Sequence, residues 1–341
     1  MSYQIMLQPG GQRFAADADR SVLDAALAAG LSLPHGCRVG ACSACKARVL
    51  QGEVDPGKYA EHALPAAERA RGHVLLCCAR PRSDLVLEAP RAETAAAPAR
   101  ELPCRVNRLE RLAEDVMLVT LQLPASEPFS FRAGQYIDIV LADGRRRSFS
   151  IANAPHQTGS LELHIRRVPG GLFTSHVFEH MRVRDILRIE GPLGTFCLRE
   201  DSVRPIIMLG GGTGFAPLKG LIEHAIHLGL ERPLALYWGA RTPAGLYLDE
   251  LAQSWQSALP GFRYIPVVSG ACPDNGWTGR RGLAHAAVLA DFADLSRHEV
   301  YACGAPAMIE AARDSFTRER GLPGDAFHAD AFTFAAAAAK D

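Results

Sequence analysis

The fold of the first part of this chain is decided by the stretch Cys37-Arg38-Val39-Gly40-Ala41-Cys42-Ser43-Ala44-Cys45. Three cysteines stand there at C-x4-C-x2-C spacing, and most of the residues between them are Gly, Ala or Ser. Small side chains let a backbone wrap a compact inorganic cluster with its N–H groups turned towards sulfide. Thiolates at this spacing, with a fourth cysteine downstream, are typical of a [2Fe–2S] cluster.

Two neighbouring residues, Cys77 and Cys78, are the candidates for the fourth ligand. Zinc is the main alternative, but structural zinc sites usually pair two C-x2-C segments, or one such segment with histidines, and only one is present. A thioredoxin-like redox pair at Cys42 and Cys45 would need βαβ surroundings that the sequence does not show. The pattern therefore favours [2Fe–2S].

Composition excludes several classes of protein. The 341 residues carry 37 basic and 37 acidic side chains, which argues against binding to nucleic acid or to a membrane surface through bulk charge. Neither a secretory signal nor an apolar run of 18 residues is visible. The nine cysteines are not spaced as a disulfide framework. We expect a cytoplasmic protein of two or three domains without a membrane span.

The residues around the cysteines predict a small α+β domain over residues 1–88. A hairpin turns at Pro9-Gly10-Gly11, and a helix with an apolar stripe begins after Ser21 and ends near Gly30. Short strands follow the cysteines. Residues 89–103 are rich in Ala and Pro and predict a linker.

The rest of the chain changes its periodicity once more. Over residues 104–200, short alternating runs separated by turn signals predict an antiparallel β-barrel. Over residues 201–341, buried strands alternate with helices, which predicts an α/β domain with a parallel sheet. The expected architecture is therefore multidomain.

One strand of the predicted barrel begins with Arg147-Ser148-Phe149-Ser150. On an extended strand, Arg147 and Phe149 share one face, and Ser148 and Ser150 share the other. A guanidinium for a pyrophosphate, with an aromatic ring beside it for a flavin, suits a dinucleotide that lies along the strand. The motif is short, so it carries weight only together with others.

Three further segments are candidates for nucleotide contacts. Gly171 and Thr174 open a predicted helix whose free N–H groups and hydroxyl can hold a phosphate. The segment Gly210-Gly211-Gly212-Thr213-Gly214 joins a strand to a helix. It matches neither an ATPase loop nor a clean G-x-G-x-x-G, and the alternative interpretation is a tight turn that binds no ligand. Cys303-Gly304-Ala305-Pro306 ends a late strand, where a buried structural cysteine is an equally good interpretation.

Taken together in this order, the motifs resemble the ferredoxin–NADP reductase superfamily, specifically its members with a plant-type ferredoxin domain at the N-terminus. These include reductase components of multicomponent oxygenases and CDP-6-deoxy-Δ3,4-glucoseen reductases. The resemblance extends from Tyr3 to about Phe334. It implies a β-grasp ferredoxin domain, an FAD-binding β-barrel and an NAD(P)-binding α/β domain.

The resemblance also implies a role for each matching residue. The family's fourth cluster ligand precedes a proline by four positions, as Cys77 precedes Pro81, so the ligands would be Cys37, Cys42, Cys45 and Cys77. FAD would contact Arg147, Ser148, Phe149, Ser150, Gly171, Thr174 and, with the C-terminal segment, Phe332. The nicotinamide dinucleotide would contact Gly211, Gly212, Thr213, Gly214, Cys303, Gly304 and Pro306. The residues expected to take part in catalysis are Ser150, near flavin N5, and Cys303, near the nicotinamide.

The activity that we predict is hydride transfer from NAD(P)H to FAD, then single-electron transfer to the cluster and to a partner protein. FAD suits this because it is stable in three reduction states. The partner would be an oxygenase component or a deoxysugar dehydratase. A redox-sensing or partner-binding module is the alternative, and the flavin and nicotinamide motifs argue against it. Arg241 and Thr242 stand where an acidic residue would select NADH, so NADPH stays open, although the resemblance favours NADH.

Overall fold

The computed structural model describes residues 1–89, 93–94, 99–270 and 277–333. The chain divides into two compact units, Met1–Arg100 and Glu101–Asp341. The first holds a mixed sheet, and the second holds an antiparallel sheet and a parallel sheet. The predicted multidomain fold is confirmed. Within the described ranges, no helix has the length and apolar character needed to cross a membrane.

The first unit is a five-stranded sheet of order β2-β1-β8-β4-β6, in which β1 and β8 are parallel. One helix packs on it and begins at the predicted cap, where Ser21 Oγ accepts from Asp24 N at 3.1 Å. The elements are β1 (Ser2–Gln8), β2 (Arg13–Asp17), α1 (Val22–Ala28), β3 (Leu31–Ser32), β4 (Lys46–Gln51), β5 (Val54–Asp55), α2 (Ala66–Arg69), β6 (His73–Leu75), β7 (Arg80–Pro81), β8 (Leu85–Glu88) and β9 (Glu93–Thr94). Residues 90–92 and 95–98 of the predicted linker lie outside the described residues.

The antiparallel sheet of the second unit has the order β13-β12-β15-β10-β11-β14. The segment that follows β13 meets the other end strand, β14, because Ala152 N donates to Glu162 O at 2.7 Å, and this contact brings the two ends of the sheet together as in a barrel. The elements are β10 (Arg100–Ala113), β11 (Val116–Gln122), β12 (Tyr136–Val140), β13 (Arg146–Ser150), β14 (Ser160–Arg166), α3 (Leu172–Glu179) and β15 (Ile186–Leu193).

Strand β10 is an element that the sequence did not predict. Leu102, Cys104 and Val106 are buried and alternate with exposed residues, as expected of a half-buried strand. Pro103 and the charged residues around it obscure that alternation. Its first residues belong to the segment predicted as a linker.

The parallel sheet has the order β19-β18-β17-β16-β20-β21. The chain leaves the central strand β16 for β17 on one side, and β20 lies on its other side, so a ligand crevice is expected at the carboxyl ends of β16 and β20. The elements are β16 (Ile206–Gly211), α4 (Phe215–His227), β17 (Leu234–Ala240), α5 (Asp249–Ala258), β18 (Phe262–Val268), β19 (Arg280–Arg281), α6 (Ala284–Asp291), β20 (Glu299–Gly304), α7 (Pro306–Arg320) and β21 (Phe327–Ala331).

Candidate cluster, flavin and coenzyme sites

The cluster loop, residues 37–45, turns its backbone donors towards its own sulfur atoms. Ala41 N lies 3.3 Å from Cys37 Sγ, and Cys37 N lies 3.4 Å from Cys42 Sγ. This turn requires left-handed backbone at Gly40 and also at two residues with side chains, Arg38 (φ 55°) and Ser43 (φ 62°). Such N–H groups stabilise thiolates, which are the form of cysteine that binds metal.

Hydrogen bonds link Cys37 to Cys42 and Cys45 to Cys77, and Cys77 also contacts Cys78. The hydrogen bond with Cys42 lowers the pKa of the Cys37 thiol to about 6, and the hydrogen bond with Cys77 lowers the pKa of Cys45. Among the described residues, no three His, Cys, Asp or Glu side chains converge as the ligands of a single ion would. Cys37, Cys42, Cys45 and Cys77 would hold a [2Fe–2S] cluster, and the backbone N–H groups that face Cys37 and Cys42 fit thiolate ligands.

The rival cysteine, Cys78, lies on the flank of the cluster loop. Its Sγ is 3.7 Å from Cys77 Sγ. A Cβ on Gly40 would come within 2.6 Å of Cys78 Sγ, so the side chain fills the space above that glycine. Cys77 is the neighbour that pairs with Cys45. The choice of Cys77 as fourth ligand stays a prediction, and this pairing supports it.

Strand β13 places the predicted flavin residues on a ladder with β12. The Phe149 ring packs against Phe173 on α3, with centroids 5.6 Å apart. Ser150 is buried, whereas the Ser148 hydroxyl donates to the buried carboxylate of Asp138 at 2.5 Å. The structure therefore brings Phe149 of β13 against α3, the helix that Gly171 and Thr174 open. It also gives the Ser148 hydroxyl a partner within the protein.

The glycine turn before α3 is organised by the Thr174 hydroxyl. Thr174 Oγ1 accepts from Val168 N at 3.1 Å and lies 3.2 Å from Gly171 O. A Cβ on Gly171 would come within 2.6 Å of Thr174 Oγ1, so the turn needs glycine. No side chain caps the first turn of α3, and free N–H groups at a helix start favour a phosphate.

A cavity of about 770 Å³ lies beside this helix start. Ile139, one of its lining residues on β12, pairs in register with Arg147, so the cavity lies near the Arg147 end of β13. Leu172 and Ile186 on its rim are 66% and 68% exposed. The lining residues are Glu101, Leu102, Pro103, Ile139, Val140, Leu141, Ala142, Leu172, Phe173, His176, Ile186, Leu187 and Arg188.

The coenzyme turn, residues 210–214, lies directly against the end of β20. A Cβ on Gly214 would lie 2.1 Å from Cys303 O, and one on Gly304 would lie 3.2 Å from Gly211 N. Phe332 N donates to Gly304 O at 2.8 Å. The structure thus brings both predicted nicotinamide motifs and the C-terminal segment together.

The structure shows the surroundings of Cys303 and Pro306, two residues of the segment that ends β20. Cys303 is fully buried, and burial, helped by the nearby Asp330 carboxylate, raises the pKa of its thiol well above the usual range. It is therefore a neutral thiol at physiological pH. Pro306 occupies the first position of α7, where the lack of an N–H costs nothing.

Comparisons with known proteins agree with this geometry. The chain matches three family models: a 2Fe-2S iron-sulfur cluster binding domain over residues 5–82, an oxidoreductase FAD-binding domain over 103–197 and an oxidoreductase NAD-binding domain over 208–314. It is 41% identical to the CDP-6-deoxy-L-threo-D-glycero-4-hexulose-3-dehydrase reductase of Yersinia pestis over 333 residues, which cover 97% of this chain and 99% of the relative. The chain belongs to the ferredoxin-fused branch of the ferredoxin–NADP reductase superfamily.

Other members of the superfamily are also similar over their full length. Reductase component 2 of a Comamonas terephthalate 1,2-dioxygenase is 36% identical, with 97% of this chain and 98% of that protein covered. The crystal structure of an Amycolatopsis cytochrome P450 reductase superposes with a TM-score of 0.82 at 36% identity, covering 97% of this chain and 99% of that one. The predicted family, enzyme class and cofactors are confirmed.

This reductase passes electrons from NAD(P)H through FAD to a [2Fe–2S] cluster. FAD, when bound, supplies the conversion between hydride and single-electron chemistry. The chain's own residues bind and orient: backbone donors face the sulfur atoms of the cluster loop, the half-buried ring of Phe149 lies on β13, and the coenzyme turn approaches Cys303. The roles of individual residues stay predictions.

The sequence did not single out Arg166, the last residue of β14. Its guanidinium reaches the coenzyme turn, since a Cβ on Gly212 would lie 2.5 Å from Nη1. Its Nε lies 3.2 Å from Asp115 Oδ2 without hydrogen-bond geometry, which leaves donors for another anion. The sequence did contain one signal for this position of Arg166. Side chains alternate along a strand, so Arg166 and Arg167 point to opposite faces.

Proposed function

We propose that the protein is the reductase component of a two-protein system and gives single electrons to an oxygenase component or a dehydrase. The cluster loop carries this proposal, because its backbone N–H groups face the sulfur atoms of Cys37 and Cys42 and it would provide a one-electron carrier in the same chain as a flavin and coenzyme site. The cluster ligands would be Cys37, Cys42, Cys45 and Cys77. The relatives are reductases of a dehydrase and of oxygenases, which supports both partner classes.

We propose further that FAD lies along β13 with its ring system towards Ser150 and its nucleotide end in the cavity at the Arg147 end. Phe149, Gly171 and Thr174 would then line its path, and the cavity would favour FAD over FMN. Flavin-stripped protein should bind FAD at least about tenfold more tightly than FMN, as measured by fluorescence titration. Equal affinity for both flavins would contradict this placement.

We propose that the coenzyme is NADH and that the protein is located in the cytoplasm, where NADH is available. The family model that matches residues 208–314 is an oxidoreductase NAD-binding domain, which supports a nicotinamide coenzyme, and the similarity to oxygenase reductase components favours NADH. Arg241 follows β17 and is exposed, so it is the residue that would meet a 2′-phosphate if NADPH were preferred.

The domain limits 1–88, 104–200 and 201–341 are proposed as the working boundaries.

The test is an anaerobic titration with NADH and, separately, with NADPH, in which flavin and cluster absorbance are followed independently. We expect NADH to bleach the flavin and then the cluster, and turnover to follow when a one-electron acceptor is added. A cluster that stays oxidised while the flavin is reduced would refute the proposed electron route. Failure to turn over with fully loaded protein would favour a redox-sensing module instead.

A further inference from the structure

A buried ion-pair network joins the barrel to helix α4, which follows the coenzyme turn. Lys219 on α4 is 6% exposed, and its Nζ lies 2.9 Å from Glu223 Oε1 and 3.1 Å from Glu162 Oε1. It also donates to Ala152 O at 3.3 Å. A buried ammonium group is stable only when it is paired and hydrogen-bonded. Two of its three partners, Glu162 and Ala152, belong to the barrel.

The network lies where α4 contacts residues 151–153, which directly follow β13, the strand with the predicted flavin residues (the flavin strand). Gly220, next to Lys219, makes the close approach possible, because a Cβ there would lie 3.1 Å from Asn153 O and 3.2 Å from Ile151 O. These residues directly follow Ser150, the predicted flavin N5 contact. The helix that carries the coenzyme turn therefore rests on the end of the flavin strand.

On the other side, the network reaches the aromatic core beneath the coenzyme turn. His164 Nε2 lies 3.0 Å from Glu162 Oε1, and His164 Nδ1 lies 3.0 Å from Tyr247 OH. A carboxylate only accepts, so the neutral imidazole donates from Nε2 and accepts the tyrosine hydroxyl at Nδ1. Tyr247 packs edge-on against Phe215, the first residue of α4.

The charges of this network are defined at neutral pH. Burial opposes ionisation of Glu162, but the hydrogen bond from His164 and the charge of Lys219 lower the pKa of Glu162 to about 2. Burial lowers the pKa of His164 in spite of the Glu162 carboxylate, so His164 stays neutral. Lys219 and Glu162 thus form an ion pair between helix α4 and the barrel.

We propose that Lys219 is a positioning residue for hydride transfer, which holds the coenzyme turn at its working distance from the flavin strand through Glu162 and Ala152. The inference rests on the proposed function. A misplacement of about 1 Å in reacting geometry can cost about 100-fold in rate. The effect is therefore expected in the rate of flavin reduction, with FAD and cluster content unchanged.

The experiment compares Lys219→Met, which keeps the length of the side chain, with Lys219→Arg, which keeps its charge. The matched control is Arg232→Met. Arg232 is equally buried and pairs with Glu299 at 2.7 Å, but it lies before β17 and has no partner in the network. Stopped-flow reduction by NADH gives the limiting rate and the coenzyme Kd. The long-wavelength absorbance of stacked flavin and nicotinamide reports ring placement without turnover.

We expect Lys219→Met to lower the limiting rate of flavin reduction about 10- to 100-fold and to weaken the stacking absorbance, and Lys219→Arg to restore part of both. Arg232→Met should lower the melting temperature but change the limiting rate by less than about twofold. An unchanged rate and absorbance in Lys219→Met, or an equal loss in Arg232→Met, would overturn the proposal.

Folding failure of Lys219→Met would not leave the question open. Glu162→Gln removes the charge of the partner of Lys219 on the barrel, which is the more exposed of its two carboxylates, and we expect a roughly three- to tenfold loss in the same rate. No change in that variant would count against the proposal. If the wild-type protein itself is not reduced by NADH, the proposed function fails, and this outcome is distinct from an insensitive Lys219 in an active enzyme.

Discussion

The cluster loop and the coenzyme turn are both short and contain glycine, but they are held in place by different means. In the cluster loop, Arg38 and Ser43 adopt left-handed backbone although they carry side chains, and the N–H groups face sulfur. In the coenzyme turn, left-handed backbone is confined to Gly212, whose carbonyl accepts from Trp238 Nε1 at 2.9 Å.

This difference indicates which region depends on its ligand. Left-handed backbone at a residue with a side chain costs about 1 kcal/mol or more, and bonds from the thiolates to a cluster would offset that cost in the cluster loop. The coenzyme turn rests on a packed core, in which Phe215 and Trp238 stack with centroids 3.8 Å apart. We expect the loop to fail when a ligand is removed, and the turn to fail only when atoms are forced into it.

The largest expected effect separates Cys77 from its neighbour. Cys77→Ser should abolish the cluster absorbance and reduce bound iron to background, because one iron loses a thiolate, while flavin reduction by NADH stays within about twofold. Cys78→Ser is the matched control and should keep its cluster. Iron and sulfide analysis with visible spectra measures both. A cluster that survives Cys77→Ser, or is lost equally in both variants, would show that the ligand assignment is wrong.

Gly214→Ala tests the coenzyme turn by adding one methyl group. That Cβ would lie 2.1 Å from Cys303 O and 2.5 Å from Cys303 C, and neither backbone atom can move freely. We expect the Kd for the coenzyme to rise about 100-fold, a loss of about 3 kcal/mol, with FAD and cluster retained.

Gly324→Ala is the control for that substitution, because nothing lies within 4 Å of its Cβ. Its free energy of unfolding should change by less than about 0.5 kcal/mol, and coenzyme binding should not change. Normal coenzyme affinity in Gly214→Ala, measured by titration calorimetry, would mean that the turn accommodates an added methyl group and does not depend on its close packing against Cys303.

Arg166→Leu tests whether the barrel adds a cation to the coenzyme turn. We expect KM for the coenzyme to rise about tenfold with kcat retained, because one charge-assisted hydrogen bond to the pyrophosphate would be lost. Arg167→Leu is the control, since Arg167 pairs with Glu179 and lies over the Phe178 ring, away from the turn. Steady-state kinetics that cannot distinguish the two variants would remove Arg166 from the site.

Sequence patterns predicted the parts of this molecule that local spacing controls. The C-x4-C-x2-C loop, the Ser21 cap and most of the alternating strands were predictable, because neighbouring residues determine them, whereas the alternation of β10 was obscured by Pro103 and charged residues. Lys219 and Arg166 were not, since their partners lie in another domain, and only the fold brings them together. The sequence did contain one signal, a lysine within the apolar stripe of α4 beside Leu218 and Leu221.

The smallest expected effect concerns acid stability beside the coenzyme strand β20. His328 on β21 packs against Tyr301, with centroids 4.8 Å apart. Burial, with the charge of Arg199, lowers the pKa of His328 to about 4, although Glu299 and Asp325 oppose this. The unfolded chain, with a histidine pKa near 6.5, therefore binds a proton between pH 6.5 and 4 that the folded protein does not. The free energy of unfolding should fall by about 2–3 kcal/mol across that window.

His328→Phe keeps a ring against Tyr301 and should remove that part of the pH dependence, so that the variant is more stable than wild type at pH 4.5 by about 2 kcal/mol. The three tryptophans, Trp238, Trp255 and Trp277, all belong to the second unit, so urea unfolding followed by fluorescence reports on that unit and not on the cluster domain. His180→Phe, at a side chain that is 71% exposed, is the control and should keep the wild-type slope. If His328→Phe keeps it too, the acid sensitivity of this unit arises elsewhere than at the strand beside the coenzyme turn.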